Sequence, residues 1–306
     1  MKNLVTGCVG FIGSNLVEYL LNKGIEVIGI DIDKSREHLL PDHKNFTMIW
    51  DSIRYLDYYH ETFKGVDTIY HLAAASDIAR SSINPAYDLA ENVVGTHVIL
   101  ETMRKRNIKN MIFTSTSVVY GEDAPRPTPE SGIDFDPTSQ YGASKCCVES
   151  FIHAYVHVYG IKAWIFRFGN VIGRNQHRGV IYDFLNKLKV NPKELEILGD
   201  GKQIKSYVHV SDCISAMDWI PKNDGNKGVE TYNLAIHDYK NVTELADILC
   251  DELGIKPKYN YTGGDRGWVG DVPIVMLDAT KALSTGWKPK LNCEEAIRRT
   301  VRELSE

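Results

Sequence analysis

Three glycines at a spacing of three, Gly7-x-x-Gly10-x-x-Gly13, separate a short apolar run, Asn3-Leu4-Val5-Thr6, from apolar residues at helical spacing, Leu16, Val17, Leu20 and Leu21, ending near Gly24. A strand that turns through glycines straight into a helix leaves few folds open. Glycine lets the backbone turn tightly and lets a pyrophosphate approach the amides at the helix N-terminus. The spacing departs from the Gly-x-Gly-x-x-Gly of the usual dinucleotide fingerprint, so its context decides. A second run, Glu26-Val-Ile-Gly-Ile30, ends at Asp31, eighteen residues after Gly13, where a carboxylate can take the adenosine ribose hydroxyls. The same carboxylate would repel a 2′-phosphate, which favours NAD over NADP. Lys34 and Arg36 follow in a polar stretch and read as solvated loop charges.

The alternation continues along the chain. Phe46–Trp50, ending at Asp51, and Thr68–Leu72, ending in Ala73-Ala74-Ala75, have strand character; a helical pattern runs from about 86 to 105. Met111–Ser115, a long helix from about 140 to 159, and Ala163–Arg167 follow. Strands alternating with helices imply an α/β fold, a Rossmann-type doubly wound parallel sheet whose binding crevice lies at the carboxyl ends of its strands. After residue 170 the pattern loosens, with a short strand at 206–210 and helices near 211–220, 242–252 and 294–304. The expected division is an NAD-binding domain over 1–170, with 206–235 returning to it, and a smaller C-terminal α/β substrate domain over 171–306.

Composition excludes more than it assigns. With 306 residues, 43% hydrophobic, 25% charged and a net charge of −5, the chain has a full core and no basic surface for nucleic acid. No apolar run reaches the ~18–20 residues of a membrane span, and the first residues form a strand instead of a signal peptide. The six cysteines, at 8, 146, 147, 213, 250 and 293, lack Cys-x-x-Cys spacing, and the ten histidines lack ligand spacing. No metal site is expected, and the thiols fit a reducing cytoplasm.

Tyr141-Gly-Ala-Ser-Lys145 puts a phenol and an ammonium on one helix face. With an unperturbed pKa of ~10, ionising a tyrosine at neutral pH costs roughly 4 kcal/mol. An ammonium ~4–6 Å away at an effective dielectric near ~20 supplies about 3–4 kcal/mol, so the pair can build a proton-transfer device. Alone, so short a motif reads more readily as a surface coincidence. A hydroxyl from Thr114-Ser115-Thr116-Ser117, at a strand's carboxyl end in the same crevice, could share the substrate's reacting hydroxyl; some of these hydroxyls satisfy only loop backbone.

Taken together, Gly7-x-x-Gly10-x-x-Gly13, Asp31, His71-Leu-Ala-Ala74, Asn92-Val-Val-Gly-Thr96, Thr116 ahead of Val119-Tyr-Gly121, and Tyr141-x-x-x-Lys145 resemble the extended short-chain dehydrogenase/reductase superfamily. Arg167-Phe-Gly-Asn170, Tyr207-Val-His-Val210 with Asp212, and Gly270-Asp-Val-Pro273 with Leu277-Asp278 extend the likeness through the C-terminal part, toward the nucleotide-sugar 4-epimerase branch. The resemblance implies a tightly held NAD. Tyr141, as tyrosinate, would take the proton of the sugar's C4 hydroxyl while C4 gives hydride to NAD⁺; Lys145 would lower the tyrosine pKa and bind the nicotinamide ribose; Thr116 would orient the C4 oxygen. The 4-keto sugar then rotates and receives hydride on its other face. By the same carry-over Phe11 and Ile12 meet the pyrophosphate, Asp51 and Ser52 flank the adenine, and Leu72, Ala73, Ala74 and Asn92 line the cofactor. Asn170 would touch the nucleotide diphosphate, Val180 the uracil pocket and Asp271 the uridine ribose.

Two departures bear on the substrate. Lys205 stands where relatives often carry arginine, and Trp268-Val-Gly-Asp271 replaces Arg-Pro-Gly-Asp, so Arg266, two places earlier, is assigned to the diphosphate. Glucose-selective relatives place a tyrosine where this chain has Val275, and the smaller side chain leaves room for a 2-acetamido group. UDP-GlcNAc and UDP-GalNAc are therefore expected substrates, alone or beside UDP-Glc and UDP-Gal; the plainer reading is that Val275 merely packs. The implied assembly is a homodimer formed through helices 86–105 and 140–159. Dehydratases need an Asp-Glu pair after the threonine, where this chain has Ser117-Val118. A decarboxylase, a reductase, an epimerase of a UDP-uronic acid or a GDP- or CDP-sugar, and a non-catalytic NAD sensor or scaffold stay open at this stage.

Overall fold

The computed structural model describes residues 1–56, 58, 60–267 and 272–305. Seven parallel strands form the main sheet: β1 (Lys2–Thr6), β2 (Glu26–Asp31), β3 (Phe46–Trp50), β4 (Thr68–His71), β5 (Asn110–Thr116), β6 (Lys162–Phe168) and a last strand at Val229–Leu234. Their spatial order is Val229–Leu234, β6, β5, β4, β1, β2, β3. The order reverses direction between β1 and β4, which opens a crevice at their carboxyl ends, beside Thr6 and His71. The central strands read as near-continuous apolar runs because both faces are covered. Leu4, Ile28, Ile69, Phe113 and Ile165 face helices Gly95–Arg106 and Gln140–Tyr159. Val5, Val27, Ile112 and Phe166 face the Phe11–Asn22 helix, through Leu16, Val17 and Leu20, and the Val210–Asn223 helix, through Cys213 and Met217.

Helix ends follow local chemistry. Ser139 caps Gln140–Tyr159 by accepting from the Gly142 amide at 3.1 Å, and Gly160, at φ 62°, ends it in a left-handed turn that a side chain would disfavour. The helical pattern at 86–105 resolves into Pro85–Asp88, a π-helical segment at Leu89–Val94, and Gly95–Arg106. Sequence patterning missed the short helices Ile78–Ile83 and Thr280–Ser284 and the longer Val180–Val190, although Ile181, Phe184, Leu185 and Leu188 are buried at helical spacing.

The C-terminal lobe is built from two- and three-stranded pieces. Asn170–Ile172 pairs with Tyr207–His209, and Ile204–Lys205 lies between Lys240–Asn241 and Ile274–Val275. Glu194–Ile197 pairs with Lys258–Tyr261. A buried ion pair ties the Gln140–Tyr159 helix to the main sheet. Arg167 on β6 meets Glu149 at 2.6 Å, and its Nη1 donates to Tyr120 Oη at 2.8 Å and to the Glu130 carbonyl at 3.0 Å. Tyr120 Oη in turn donates to Asn233, whose amide reaches the Thr128 carbonyl. With all three guanidinium nitrogens donating, desolvation of the two charges is offset by hydrogen bonds. Among the described residues no helix is long and apolar enough to cross a membrane.

Candidate active site

Two cavities open at the carboxyl end of the sheet and meet at Tyr141. One, of about 580 Å³, is lined by the glycine turn, Asp31, Asp51, the 72–76 segment, Lys145 and the loop at 176–180. The other, of about 490 Å³, is lined by Thr116, Gly121, Asn170, Val180, Lys205, Val275 and Leu277, among others. Tyr141, Gly169, Asn170, Gly179, Val180 and Tyr207 border both.

The first cavity has the form of a dinucleotide cradle. A Cβ on Gly13 would fall 2.0 Å from the Gly7 carbonyl oxygen, and one on Gly7 would fall 2.7 Å from the Ala73 nitrogen. Side chains there would overpack the turn, and their absence exposes amides at the start of the Phe11–Asn22 helix to a phosphate. Asp31 accepts from the Val9 amide at 3.0 Å through one oxygen, and from Ile32 at 2.7 Å and Asp33 at 3.1 Å through the other. Its carboxylate is thus held rigidly at the cleft edge. These residues fit NAD: Gly7, Gly10, Phe11, Ile12, Gly13, Asp31, Asp51, Ser52, Leu72, Ala73, Ala74, Tyr141 and Lys145 all border the cleft.

Asn92 does not. It lies on the π-helical segment, buried, where its amide clamps Ala75 by accepting from the nitrogen at 2.7 Å and donating to the oxygen at 3.1 Å. It braces the wall from behind instead of lining it. Arg36 corrects the opposite way: rather than a solvated loop charge, it borders the cleft, with Nη2 donating to the Asn175 carbonyl at 3.1 Å and Nη1 against the His177 ring. Gln176, His177 and Arg178 also border the cleft without having been assigned from sequence. Their loop lies far along the chain, and only the sheet topology brings it there.

At the junction, Thr116 ends β5 and accepts from the Val118 amide at 3.3 Å, and it borders the second cavity together with Tyr141. Lys145, buried one turn along, donates to the Thr114 carbonyl at 2.9 Å and lies over the Phe113 ring. Its ammonium stands 5.9 Å from the Tyr141 ring centroid. Burial dominates both groups. Desolvation pushes the Tyr141 phenol up to about 12, with Thr116 and the Arg178 charge acting to lower it. Desolvation likewise pulls Lys145 down to about 7, opposed by Glu149. The lysine is not among the groups that draw the tyrosine down: its own charge is disfavoured by burial and it is anchored on a backbone carbonyl.

In the second cavity Lys205 and Val275 are register partners on adjacent strands, so two residues seventy positions apart face the same space. Arg266 stands at the rim in a two-pronged ion pair with Glu122, at 2.6 and 2.8 Å, and Glu122 itself borders the cavity. Arg126 also lines it. Asp271 lies outside the described residues.

Comparison with known proteins agrees with this geometry. The NAD dependent epimerase/dehydratase family matches residues 3–235. A putative UDP-glucose 4-epimerase of Methanocaldococcus jannaschii is 36% identical, over 97% of this chain and 96% of its own. The UDP-glucose 4-epimerase of Thermotoga maritima, solved with UDP-glucose, superposes with a TM-score of 0.89 at 31% identity, covering 100% of this chain and 99% of that one. The UDP-N-acetylglucosamine 4-epimerase of Methanobrevibacter ruminantium, solved with UDP-N-acetylmuramic acid, gives 0.90 at 27% identity, covering 99% and 98%. With a glycine cradle, a clamped acid at the cleft edge and a Thr-Tyr-Lys junction, these matches place the chain in the NAD dependent epimerase/dehydratase family, within the extended short-chain dehydrogenase/reductase superfamily, as an NAD-dependent epimerase.

Proposed function

We propose that the protein inverts C4 of a UDP-hexose, taking UDP-GlcNAc and UDP-GalNAc, with UDP-Glc and UDP-Gal accepted in the same site. The observation that carries this reading is the meeting of the two cavities at Tyr141, with Thr116 on the sugar side and Lys145 on the cofactor side. Tyr141 takes and returns the C4 hydroxyl proton, and Thr116, which borders the same cavity as the phenol, orients the C4 oxygen. Lys145, fixed on the Thr114 carbonyl, holds the nicotinamide ribose. NAD, when bound, takes up and returns the two electrons of the reaction.

Gly7, Gly10, Phe11, Ile12 and Gly13 hold the pyrophosphate, Asp31 the ribose, and Asp51 and Ser52 the adenine. Asn170 and Lys205 serve the substrate diphosphate, Val180 the uracil and Asp271 the uridine ribose. Arg266 reaches the diphosphate by leaving Glu122. Val275, partly buried beside Lys205, supports room for the acetamido group. In this reading residues 1–170, joined by 206–235, form the cofactor domain and 171–306 the sugar domain. Exposed apolar side chains on the paired helices, Phe151 at 40%, Tyr159 at 42% and Val158 at 65%, support a homodimer, to be checked by light scattering. The six free thiols fit the cytoplasm.

One observation favours a second substrate class. Arg178, across the cleft mouth from Asp77 at 3.5 Å, acts on Tyr141 electrostatically and could receive a C6 carboxylate. The deciding experiment incubates the purified protein without added NAD with each of the four UDP-sugars and with UDP-glucuronic acid, following C4 inversion by proton NMR. Inversion of the acetamido sugars is expected. Inversion of UDP-glucuronic acid alone transfers the function to uronic acids, and no inversion of any of the five after NAD is added overturns 4-epimerisation of UDP-sugars.

A further inference from the structure

Beneath both cavities runs a chain of buried hydrogen bonds whose side chains border neither. Thr6 Oγ1 lies 2.7 Å from His71 Nδ1, and His71 Nε2 lies 2.8 Å from Thr96 Oγ1. Thr96 Oγ1 donates one helical turn back to the Asn92 carbonyl. The Asn92 amide clamps Ala75 and donates to Ser144 Oγ at 2.8 Å, and Ser144 donates to the Tyr141 carbonyl at 2.7 Å. At the other end Thr6 Oγ1 accepts from the Leu72 and Ala73 amides, at 3.2 and 3.1 Å.

Only one arrangement of protons satisfies every group. A carbonyl accepts and never donates, so the Thr96 proton is committed to Asn92. Thr96 Oγ1 must then accept from His71 Nε2–H. That leaves His71 Nδ1 as an acceptor for the Thr6 proton, and leaves the Thr6 lone pairs for the two amides. An imidazolium would present a second N–H to Thr6, whose oxygen already takes two amide donors. Lys145, from the Gln140–Tyr159 helix, is the charged group that opposes a positive imidazole, and the Phe113 ring stacks on it at 5.7 Å.

We propose that His71 and Thr96 are positioning residues for the epimerase reaction: neutral and protonated on Nε2, His71 joins the glycine-turn strand, the 72–75 wall and the Tyr141 turn into one fixed unit. The inference rests on the assignment of Tyr141 as the proton-transfer group. Its physical content is distance. The wall touches the cofactor and the Tyr141 turn carries the base, so slack between them misaligns the reacting atoms, and a misplacement of ~1 Å can cost about 10²-fold in rate.

Thr96→Val removes the hydroxyl with little change of shape, and Thr96→Ser keeps it. Thr96→Val is expected to lower kcat by about ten- to a hundredfold with KM for the UDP-sugar unchanged. Thr96→Ser should stay close to wild type. Long-range proton–nitrogen NMR of the wild-type protein should show His71 protonated on Nε2 alone, unchanged between neutral and mildly acidic pH. A wild-type kcat in Thr96→Val, equal losses in the two variants, or an Nδ1-protonated or doubly protonated His71 at neutral pH would overturn the proposal. If the wild-type protein inverts none of the sugars, the functional reading fails by itself, while the tautomer measurement still decides whether the relay exists.

Discussion

The cofactor cleft takes most of its wall from turns that directly follow β1, β2, β3 and β4, with glycines and alanines at the glycine turn and at 73–75. The sugar cavity takes its wall from side chains delivered by six separated stretches, at 116–128, 141, 169–184, 198–207, 242 and, among the described residues, 267 and 272–277. In the first, geometry is set by the sheet itself, and a Cβ on Gly13 has nowhere to go. In the second, geometry depends on short strand pairs such as Ile204–Lys205 with Ile274–Val275, two residues long. A site built on backbone tolerates little change and binds one thing; a site built on side chains is where specificity can shift without loss of the fold.

The comparison predicts different failure modes, and the largest effect lies where the halves meet. Tyr141→Phe keeps the ring and removes the hydroxyl, so kcat should fall by about 10²–10⁴-fold for every sugar, while the NAD content of the purified protein and UDP-sugar affinity stay normal. Loss of NAD from this variant would mean that Tyr141 builds the cleft instead of serving the reaction. A smaller but equally sugar-independent loss is expected from Gly13→Ala. Overpacking a fixed turn costs about 1–3 kcal/mol, which is about 10- to 100-fold in cofactor affinity. Retained NAD, measured by absorbance after denaturing the protein, should drop, and activity should return in excess NAD for all sugars alike. A sugar-selective loss would break the separation of the halves.

The same contrast explains what could be read from the chain alone. Gly7, Gly10, Gly13 and Asp31 were legible because a backbone constraint is expressed in neighbouring residues, at fixed spacing from a strand end. Tyr141 and Lys145 were legible because one helix holds both. Asn92 was placed on the wrong side of the wall because its orientation is set by the π-helical segment at Leu89–Val94, for which no spacing rule exists. Arg36 was read as solvated because its partners, Asn175 and His177, come from a loop the chain reaches only after crossing the sheet. The pairing of Lys205 with Val275 is a register, and register between strands this short has no signal in either segment.

Sugar selectivity should respond in the second half alone. Val275→Tyr narrows the cavity beside Lys205, and kcat/KM for UDP-GlcNAc and UDP-GalNAc should fall by about tenfold or more relative to UDP-Glc and UDP-Gal. NAD content should not change. Equal losses on all four sugars would show that Val275 packs and that the acetamido group is received elsewhere.

The smallest effect concerns acid, and it orders the two halves in pH. Burial, with Lys145 adding to it, holds His71 well below its ordinary range, at about 3. A folded-state pKa below the unfolded one means that the neutral imidazole is favoured by folding. Its contribution is full above the unfolded value of about 6.5 and is lost as pH falls from there toward about 3. In the other lobe Glu303 is held down at about 2: burial raises it, but hydrogen bonds from His209 and Arg299, with their charges, outweigh that. Its contribution is full above about 4.3 and is lost only as pH falls below that. The cofactor half therefore begins to lose stability first. Lowering pH from about 7 to about 5 should reduce Tm in the wild-type protein, and less so in His71→Gln, which cannot titrate in that range. NAD release should accompany the early phase. Parallel Tm slopes in the two proteins would mean that His71 does not set the acid limit, and NAD retained until the C-terminal lobe melts would reverse the order of the halves.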